Sequence, residues 1–434
     1  MIYPCAVSRI LTAGNKDIAS SLIGYSSKTS IGAMDRRKFI QLSTAGTVIG
    51  AATSATAQDK AAKPGDPTTL AVGHPAVMAP RSDGVEIVWR VSGLAKGYVE
   101  YGTTKDLGSV ARNDGWGLRP AGKEVIKVRL DGLEPGTTYH YRVVTEDFDR
   151  KTPKKETGPL RSFRTLSATA ASTSFCVWND THKHNDTIKK LASITPPSDF
   201  LLWNGDTCND WYKEGEVAET LISPGGTKSG IDFTANNPLL ILRGNHDGRG
   251  THAYQVEDYT ASPSGKPWYA FRSGPVAFIC MDTGEDKPDD SPYLFGRVAC
   301  EPMRREEAEW LAKVIEQPEI KNAPYRVVCC HIPLRWTDED TKHSYDHFSK
   351  RSRDLWHNSL VKWGAQVVIS GHTHRDAQIE ANKEFPYAQL VGGGPKMSQA
   401  RLITGKADAQ QMVLNVTDMS GKITRELSFK SLTE

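Results

Sequence analysis

Long apolar runs are scarce in this chain. Beyond the first 65 residues none reaches the roughly 18 to 20 residues that a membrane-crossing helix needs, so no span is expected in the mature protein. A charge excess of either sign is also missing. The 54 basic and 51 acidic residues leave a net +3, and no long lysine or arginine tract could follow a nucleic-acid backbone. Nucleic acid is therefore not an implied partner. Cysteine is sparse, with seven at positions 5, 176, 208, 280, 300, 329 and 330, and neither a CxxC pair nor a staple-like spacing occurs. Several of these sit in apolar runs, where a thiol acts as a small hydrophobe, so free buried thiols are expected and a disulfide framework is not. The 434 residues suit two domains with a sizeable core in at least one.

What is present starts with a segment that does not read as folded domain. From Met34 the chain runs MDRRKFIQLSTAGTVIGAATSATAQ, a charged start, a modest apolar stretch and a small-residue end at Ala55-Thr56-Ala57. Arg36-Arg37 followed by Lys38-Phe39 resembles a twin-arginine export signal. That resemblance implies the twin-arginine export machinery as a partner, passage in a folded state, a periplasmic or extracellular destination and a mature chain beginning near Gln58. Residues 1–33 lack such logic, which makes Met34 a candidate start. Residues 1–65 are thus read as export signal and disordered linker.

Residues 67–166 have another texture. GVEIVWRVSG, KGYVEYGTT, KEVIKVRLDGL and TTYHYRVVTE alternate apolar and polar side chains between Gly, Pro and Asp turns, which predicts an all-β sandwich. LDGLEPGTTYHYRV resembles the end of a fibronectin type III domain. The sandwich holds no cluster of catalytic side chains and is expected to be scaffold or a wall of the neighbouring site. SATAASTS, 167–174, reads as a linker.

Residues 175–434 alternate short apolar strands with amphipathic helices, which predicts an α/β domain of two stacked sheets with helices outside, an αββα sandwich. TSFCVWND, DFLLWNGD, PLLILRGNHD, PVAFICMD, YRVVCCH and AQVVISGHTH are the strands. Functional groups gather beyond the carboxyl ends of such strands. Five of these ends supply Asp180 and His182, Asp206, Asn245 and His246, His331, and His372 with His374. An isolated Gly-Asn-His-Asp is an ordinary polar turn. Converged, the five ends offer hard oxygen and borderline nitrogen donors suited to two metals a few ångströms apart.

The ordered set D-x-H, G-D, G-N-H-D, H before I-P and G-H-x-H resembles the signature of the calcineurin-like metallophosphoesterase superfamily across residues 175–375. The resemblance implies Asp180, His182 and His374 on one metal, Asn245, His331 and His372 on the other, and Asp206 bridging. It leaves His246 unligated beside the site, able to steady phosphoryl oxygens or protonate a leaving alkoxide. Asp247 is expected to orient His246 or a ligand. The implied chemistry is hydrolysis of a small-molecule phosphoester by metal-activated hydroxide, with no covalent nucleophile and with Cys208 merely packed. Mn, Fe, Zn and Co all remain open for the two ions.

A β-sandwich ahead of the metal domain is similar to the arrangement in purple acid phosphatases, as is KPWYAFRSGPVAFICMDTG, read as a hairpin running into a strand. Two departures limit that likeness: Asn209 stands where those enzymes have the iron-binding tyrosine, and their first motif lacks a counterpart of His182. The expectation therefore favours a phosphodiesterase over a purple-acid-phosphatase-like monoesterase. A third reading is an exported binding protein with a degenerate hydrolase domain, against which the complete ligand set weighs. Arg335, Trp336, His343, His347 and Arg351 could receive substrate or form a solvated insertion. VGGGPKM, 391–397, reads as a glycine turn near the site, and 405–434 as a terminal β-hairpin.

Overall fold

Period-two patterns become strands throughout the start of the described chain. The computed structural model describes residues 69–226, 230–335 and 344–433, without the side chains of 344–349. The export-signal expectation and those for Trp336 and His343 lie outside these residues, and that for His347 rests on a side chain outside the described ones. The first strands are β1 (Ala71–Met78), β2 (Gly84–Val91), β3 (Ala95–Gly102), β4 (Ser109–Ala111), β5 (Ala121–Gly122), β6 (Val125–Asp131), β7 (Thr138–Glu146), β8 (Lys155–Thr157) and β9 (Arg161–Arg164). One sheet has the order β4-β3-β7-β8, with β5 on β3 and β9 on β7, while β1-β2-β6 belong to another. Alternate side chains such as Val77, Ile87, Trp89, Val128, Tyr141 and Phe163 form a common core. The buried indole of Trp89 donates to Thr145 Oγ1 at 3.0 Å, which satisfies its one polar atom.

The remainder runs β10 (Thr173–Trp178), α1 (Asn185–Ile194), β11 (Phe200–Asn204), α2 (Glu216–Leu221), β12 (Leu239–Leu242), α3 (Gln255–Tyr259), β13 (Tyr269–Ser273), β14 (Val276–Met281), α4 (Cys300–Val314), α5 (Pro318–Lys321), β15 (Tyr325–Cys330), α6 (Ser344–Trp363), β16 (Val367–Ser370), β17 (Asp376–Ile379), β18 (Ala388–Gly392), β19 (Leu402–Ala407), β20 (Met412–Thr417) and β21 (Ile423–Phe429). Two sheets result, β21-β20-β19-β10-β11-β12-β1-β2-β6 and β13-β14-β15-β16-β18-β17. The six motif-bearing apolar runs are all strands, parallel within each sheet. Both faces of these strands are covered, which is why they read as continuous apolar runs. Phe175, Leu202 and Leu240 of the first sheet meet Phe278, Val327 and Leu390 of the second. On the outer face of the first sheet Trp178 and Trp203 pack with Ile188 and Leu191 of α1 and Leu221 of α2. Outside the second, Ile279, Val328 and Val368 pack with Leu311 of α4 and Trp356 of α6. The layers are helix, sheet, sheet, helix, as expected, and the six described cysteines are buried and free.

Three features differ from the sequence reading. The expected linker ends early, because Thr173 already pairs with Ala407 and its hydroxyl shares a 2.7 Å hydrogen bond with Ser273. The C-terminal segment forms three antiparallel strands instead of a hairpin, with β19 laid against β10. The first sheet also runs on past the motif-bearing strands: β1 lies parallel to β12 with Met78 opposite Leu239, and Ala79 N donates to Leu239 O at 3.0 Å. A second link is Tyr141, whose buried hydroxyl donates to Ala235 O at 2.6 Å. Removing that hydroxyl leaves a buried carbonyl unpaired. Tyr141→Phe should therefore lower unfolding stability by about 1 to 2 kcal/mol in chemical denaturation. Turnover should stay unchanged, and equal midpoints for both proteins would show that the contact carries no stability.

Candidate dinuclear metal centre

The carboxyl ends of parallel strands in two stacked sheets face the same rim, so the loops that follow them meet. Asp180 and His182 follow β10, Asp206 follows β11, Asn245 and His246 follow β12, His331 follows β15, and His372 and His374 follow β16. Their backbones turn sharply to aim the side chains inward. Asp180, His182, Asp206, His372 and His374 have φ of 49°, 43°, 48°, 68° and 54°. Non-glycine residues pay about 1 kcal/mol or more for that left-handed conformation, and such strain concentrates at functional sites. Close approach explains two of the motif glycines. A Cβ on Gly244 would fall on Asp206 Oδ1, and one on Gly371 would fall on Asp180 Oδ2.

The donor atoms form two sets sharing one carboxylate. Asp180, His182, Asp206 and His374 make the first, and Asp206, His331 and His372 the second. In the first, His182 Nε2 lies 2.9 Å from His374 Nε2 and 3.5 Å from Asp206 Oδ2, and Asp180 Oδ1 lies 3.7 Å from His374 Nε2. In the second, His331 Nε2 lies 3.1 Å from Asp206 Oδ2. Asn245 joins it, with Oδ1 2.9 Å from His372 Nδ1. Metal–donor bonds of about 2.1 Å place neighbouring donors roughly 3 to 3.5 Å apart, so these separations are compatible with a shared ion as well as with mutual hydrogen bonds.

The outward ring nitrogens are already assigned. His182 Nδ1 lies 2.6 Å from Asn209 Oδ1, and His331 Nδ1 lies 3.0 Å from the Asn204 carbonyl oxygen. Each acceptor holds a proton on Nδ1 and turns an Nε2 lone pair into the site, the usual support for a metal-binding imidazole. His331 Nε2 is buried without a hydrogen-bond partner, and so is Asn245 Nδ2. An orphaned imidazole nitrogen facing two buried carboxylates fits a cation there.

Burial raises the Asp180 carboxyl to about 8, outweighing the help from His331, while Asp206 adds to the rise. Burial also acts on Asp206, but His331, His246 and His182 hold that carboxyl well below the usual range. His331 is pulled down by burial and up by Asp206 and Asp180, with a net rise to about 10. Burial lowers His182 to about 4 and His372 to about 3. Both Asp180 and His331 are thus shifted towards their protonated forms, and a bound cation would oppose those shifts.

His246 belongs to neither donor set. Its ring packs edge-on against His182 with centroids 5.0 Å apart, and the side chain keeps 26% of its surface exposed. The carboxylate at His246 Nδ1 is Asp210, at 2.7 Å, and Asp210 in turn accepts from Tyr293 Oη at 2.9 Å. Burial depresses the His246 ring, yet Asp210 and Asp206 more than offset it and the net shift is upward. Arg249 Nη1 approaches His246 Nε2 at 3.4 Å while its Nε donates to Glu285 at 2.6 Å and its Nη2 to Asp286 at 2.8 Å. Of the two orienting roles expected for Asp247, at His246 or behind a ligand, the place at His246 is taken by Asp210. Buried at 3% exposure, Asp247 accepts from Gly244 N at 2.8 Å and Thr207 N at 3.1 Å, and so joins the loops after β11 and β12. The short 3-10 turn at His246–Gly248 carries successive side chains away from each other, which separates the two neighbours. Asp210 stands four residues after Asp206 in GDTCND, and no spacing rule singled it out. Cys208 is buried beside Asp247 with its thiol pushed up by burial, an inert packing role.

Residues 173–376 match the family model for calcineurin-like phosphoesterases. Mouse serine/threonine-protein phosphatase CPPED1 is 28% identical over 141 residues, 32% of this chain and 42% of that protein. Purple acid phosphatase 15 of Arabidopsis thaliana is 24% identical over 335 residues, 69% of this chain and 57% of that protein. The chain thus spans less than two thirds of the length of these relatives. The structure of purple acid phosphatase PPD1 from yellow lupin superposes with a TM-score of 0.62 at 14% identity, over 83% of this chain and 74% of that one, a likeness of fold.

Metal loading should be linked to protons. Burial raises the carboxyl of Asp180, and Asp206 with Asp180 raises the imidazole of His331, so both favour a proton that a metal ligand must lose. Calorimetric titration with Mn or Zn in buffers of different ionisation enthalpy should find net proton release on loading at pH 7, and affinity falling as pH falls. Proton-independent loading would contradict this electrostatic picture.

Proposed function

We propose that the calcineurin-like metallophosphoesterase domain at residues 173–376 works as a dinuclear-metal hydrolase of phosphoesters that prefers diesters. The observation that carries this reading is the shared position of Asp206 in two donor sets, together with the buried, unpartnered Nε2 of His331 beside it. Asp180, His182 and His374 would hold one ion, Asn245, His331 and His372 the other, and Asp206 both. Bound there, Mn, Fe, Zn or Co would supply an activated water and neutralise the phosphoester charge.

The chain's own groups do the remaining work. Asn209 and Asn204 fix the rings of His182 and His331. Asp210 fixes the His246 ring through Nδ1, so a proton on Nε2 is the one available to the departing alkoxide, whose oxygen takes it as the P–O bond breaks. Arg249, whose Nη1 lies 3.4 Å from that Nε2, has only donors to offer and would steady a phosphoryl oxygen there.

Two observations favour diesters. Asn209 is spent on His182 where a purple acid phosphatase has its tyrosine, which weighs against a ferric-tyrosinate centre. Arg249 and Lys287 are both committed to Asp286, with Arg249 also on Glu285, which leaves little unmatched positive charge for a monoester dianion. The second reading, a purple-acid-phosphatase-like monoesterase, draws on the long match to purple acid phosphatase 15. A degenerate hydrolase domain in an exported binding protein would show no turnover at all. The same reading divides the chain into a 1–65 export segment of twin-arginine type, a fibronectin III-like sandwich at 67–166 and the metallophosphoesterase domain at 175–434. It places the mature enzyme in the periplasm or outside the cell.

The test is turnover of alkyl and nitrophenyl mono- and diesters after loading with each metal. Wild type should cleave diesters at least as well as monoesters, and a strong monoester preference would sink the diester assignment. Asp206→Asn should lose at least one ion and roughly 100-fold in turnover. Two ions with unchanged turnover would remove Asp206 from the bridge.

His246→Ala should keep both ions. It should lose roughly 100- to 10,000-fold on an alkyl ester and far less on a nitrophenyl ester, whose leaving group needs no proton. Asp210→Asn should show the same leaving-group dependence in weaker form. Equal losses on both esters would point to orientation of phosphoryl oxygens instead of acid catalysis.

A further inference from the structure

Far from any metal donor in sequence, one end of the N-terminal strands gathers side chains that serve neither core nor site. The turn between β2 and β3, the loop between β4 and β5 and the hairpin between β7 and β8 meet there, because Ala95 pairs with Gly122 and Lys96 pairs with Ala121 on one side and Glu146 on the other. Lys96 ties the group together. Its ammonium donates to the Asp147 carbonyl oxygen and lies 4.7 Å from the centre of the Phe148 ring. Arg119 of the middle loop bonds Glu146 at 2.6 Å.

Four large apolar side chains project from this end: Leu94 at 63% exposure, Trp116 at 89%, Leu118 at 65% and Phe148 at 51%. A single exposed hydrophobe is ordinary, but four on converging loops make a patch. The Trp116 loop is built, since Asp114 accepts from the amides of Trp116 at 2.9 Å and Leu118 at 3.2 Å, and Asn113 from Gly115 N at 2.8 Å. The tryptophan is thereby held away from any core it could join.

The charges around the patch are sorted. Its acids turn inward onto their own loops: Asp114 as above, Asp147 onto the amides of Asp149 and Lys154, and Asp149 onto those of Lys151 and Thr152. Arg112, Arg150 and Lys151 are exposed and make no side-chain hydrogen bond or ion pair among the described residues. The patch therefore presents protruding apolar tips beside unmatched cations. Tryptophan, leucine and phenylalanine suit the boundary between lipid headgroups and acyl chains, and free arginine and lysine suit lipid phosphates.

We propose that this end of the N-terminal strands docks the protein on an anionic lipid bilayer, with Trp116, Leu118 and Phe148 entering the interface and Arg112, Arg150 and Lys151 meeting lipid phosphates. The test is cosedimentation of the full chain with phosphatidylcholine vesicles that contain or lack phosphatidylglycerol. Because all forms compared keep residues 1–68, any lipid affinity of that segment is common to them. Wild type should pellet with the anionic vesicles, less so as salt rises, and stay in solution with the neutral ones.

W116S/L118S/F148S should weaken that binding at least tenfold. In the series R112Q, R150Q and K151Q, each lost cation should weaken it about fivefold. Turnover of a soluble phosphoester should be unchanged in every variant, which also reports intact folding. Wild type that ignores anionic vesicles, or that binds neutral ones equally, would overturn the proposal. So would folded triple variants that bind like wild type, or a patch that serves only self-association by sedimentation analysis.

Discussion

Everything in the metal-bearing half depends on the cost of burying Asp180 and Asp206 together. Both carboxylates are nearly or wholly removed from solvent, and the groups beside them are imidazoles that burial itself tends to neutralise. Burying two carboxylates together is costly unless charge of the opposite sign lies beside them. The left-handed turns and glycine contacts around this pair hold the carboxylate, amide and imidazole donors together. The strain is supported from behind by the sheet ladders and by Asp247, which pins the two loops that flank Asp206.

That division explains what sequence could reveal. Asp180, His182, Asp206, Asn245, His331, His372 and His374 are legible because each follows an apolar strand, and parallel strands deliver their ends to one rim. The layered α/β fold is legible from the same runs, since fully covered strands have no polar face. The partners of those residues are not. Asp210 reaches His246 through the path of a loop, and Asn209 reaches His182 across two different strand ends. Such contacts depend on side-chain direction within irregular backbone, where no period constrains it. Asp247 shows the hazard: adjacent to His246 in sequence, it points into the protein, and the carboxylate that serves the imidazole comes from elsewhere.

The cations around the site tell a similar story of commitment. Arg249 lies against the His246 ring, yet Glu285 and Asp286 match its charge, and burial lifts the Glu285 carboxyl to about 7 while Arg249 opposes the rise. Composition could not distinguish a free arginine from one already paired, so the charge offered to substrate only becomes visible with the neighbours in place.

The continuation of the first sheet from β12 into β1 has a practical side. β12 leads directly into Gly244 and Asn245, and it is flanked by β11 on one edge and β1 on the other. Were the chain cut before Thr173 to obtain the metal-bearing half by itself, β12 would become an edge strand with unpaired backbone groups and an apolar face. The two halves are therefore poor candidates for independent modules. An ancestor or a relative that lacked the preceding strands would have needed another cover for that edge, and any recombination that exchanges the N-terminal part must supply a replacement strand along with the new fold.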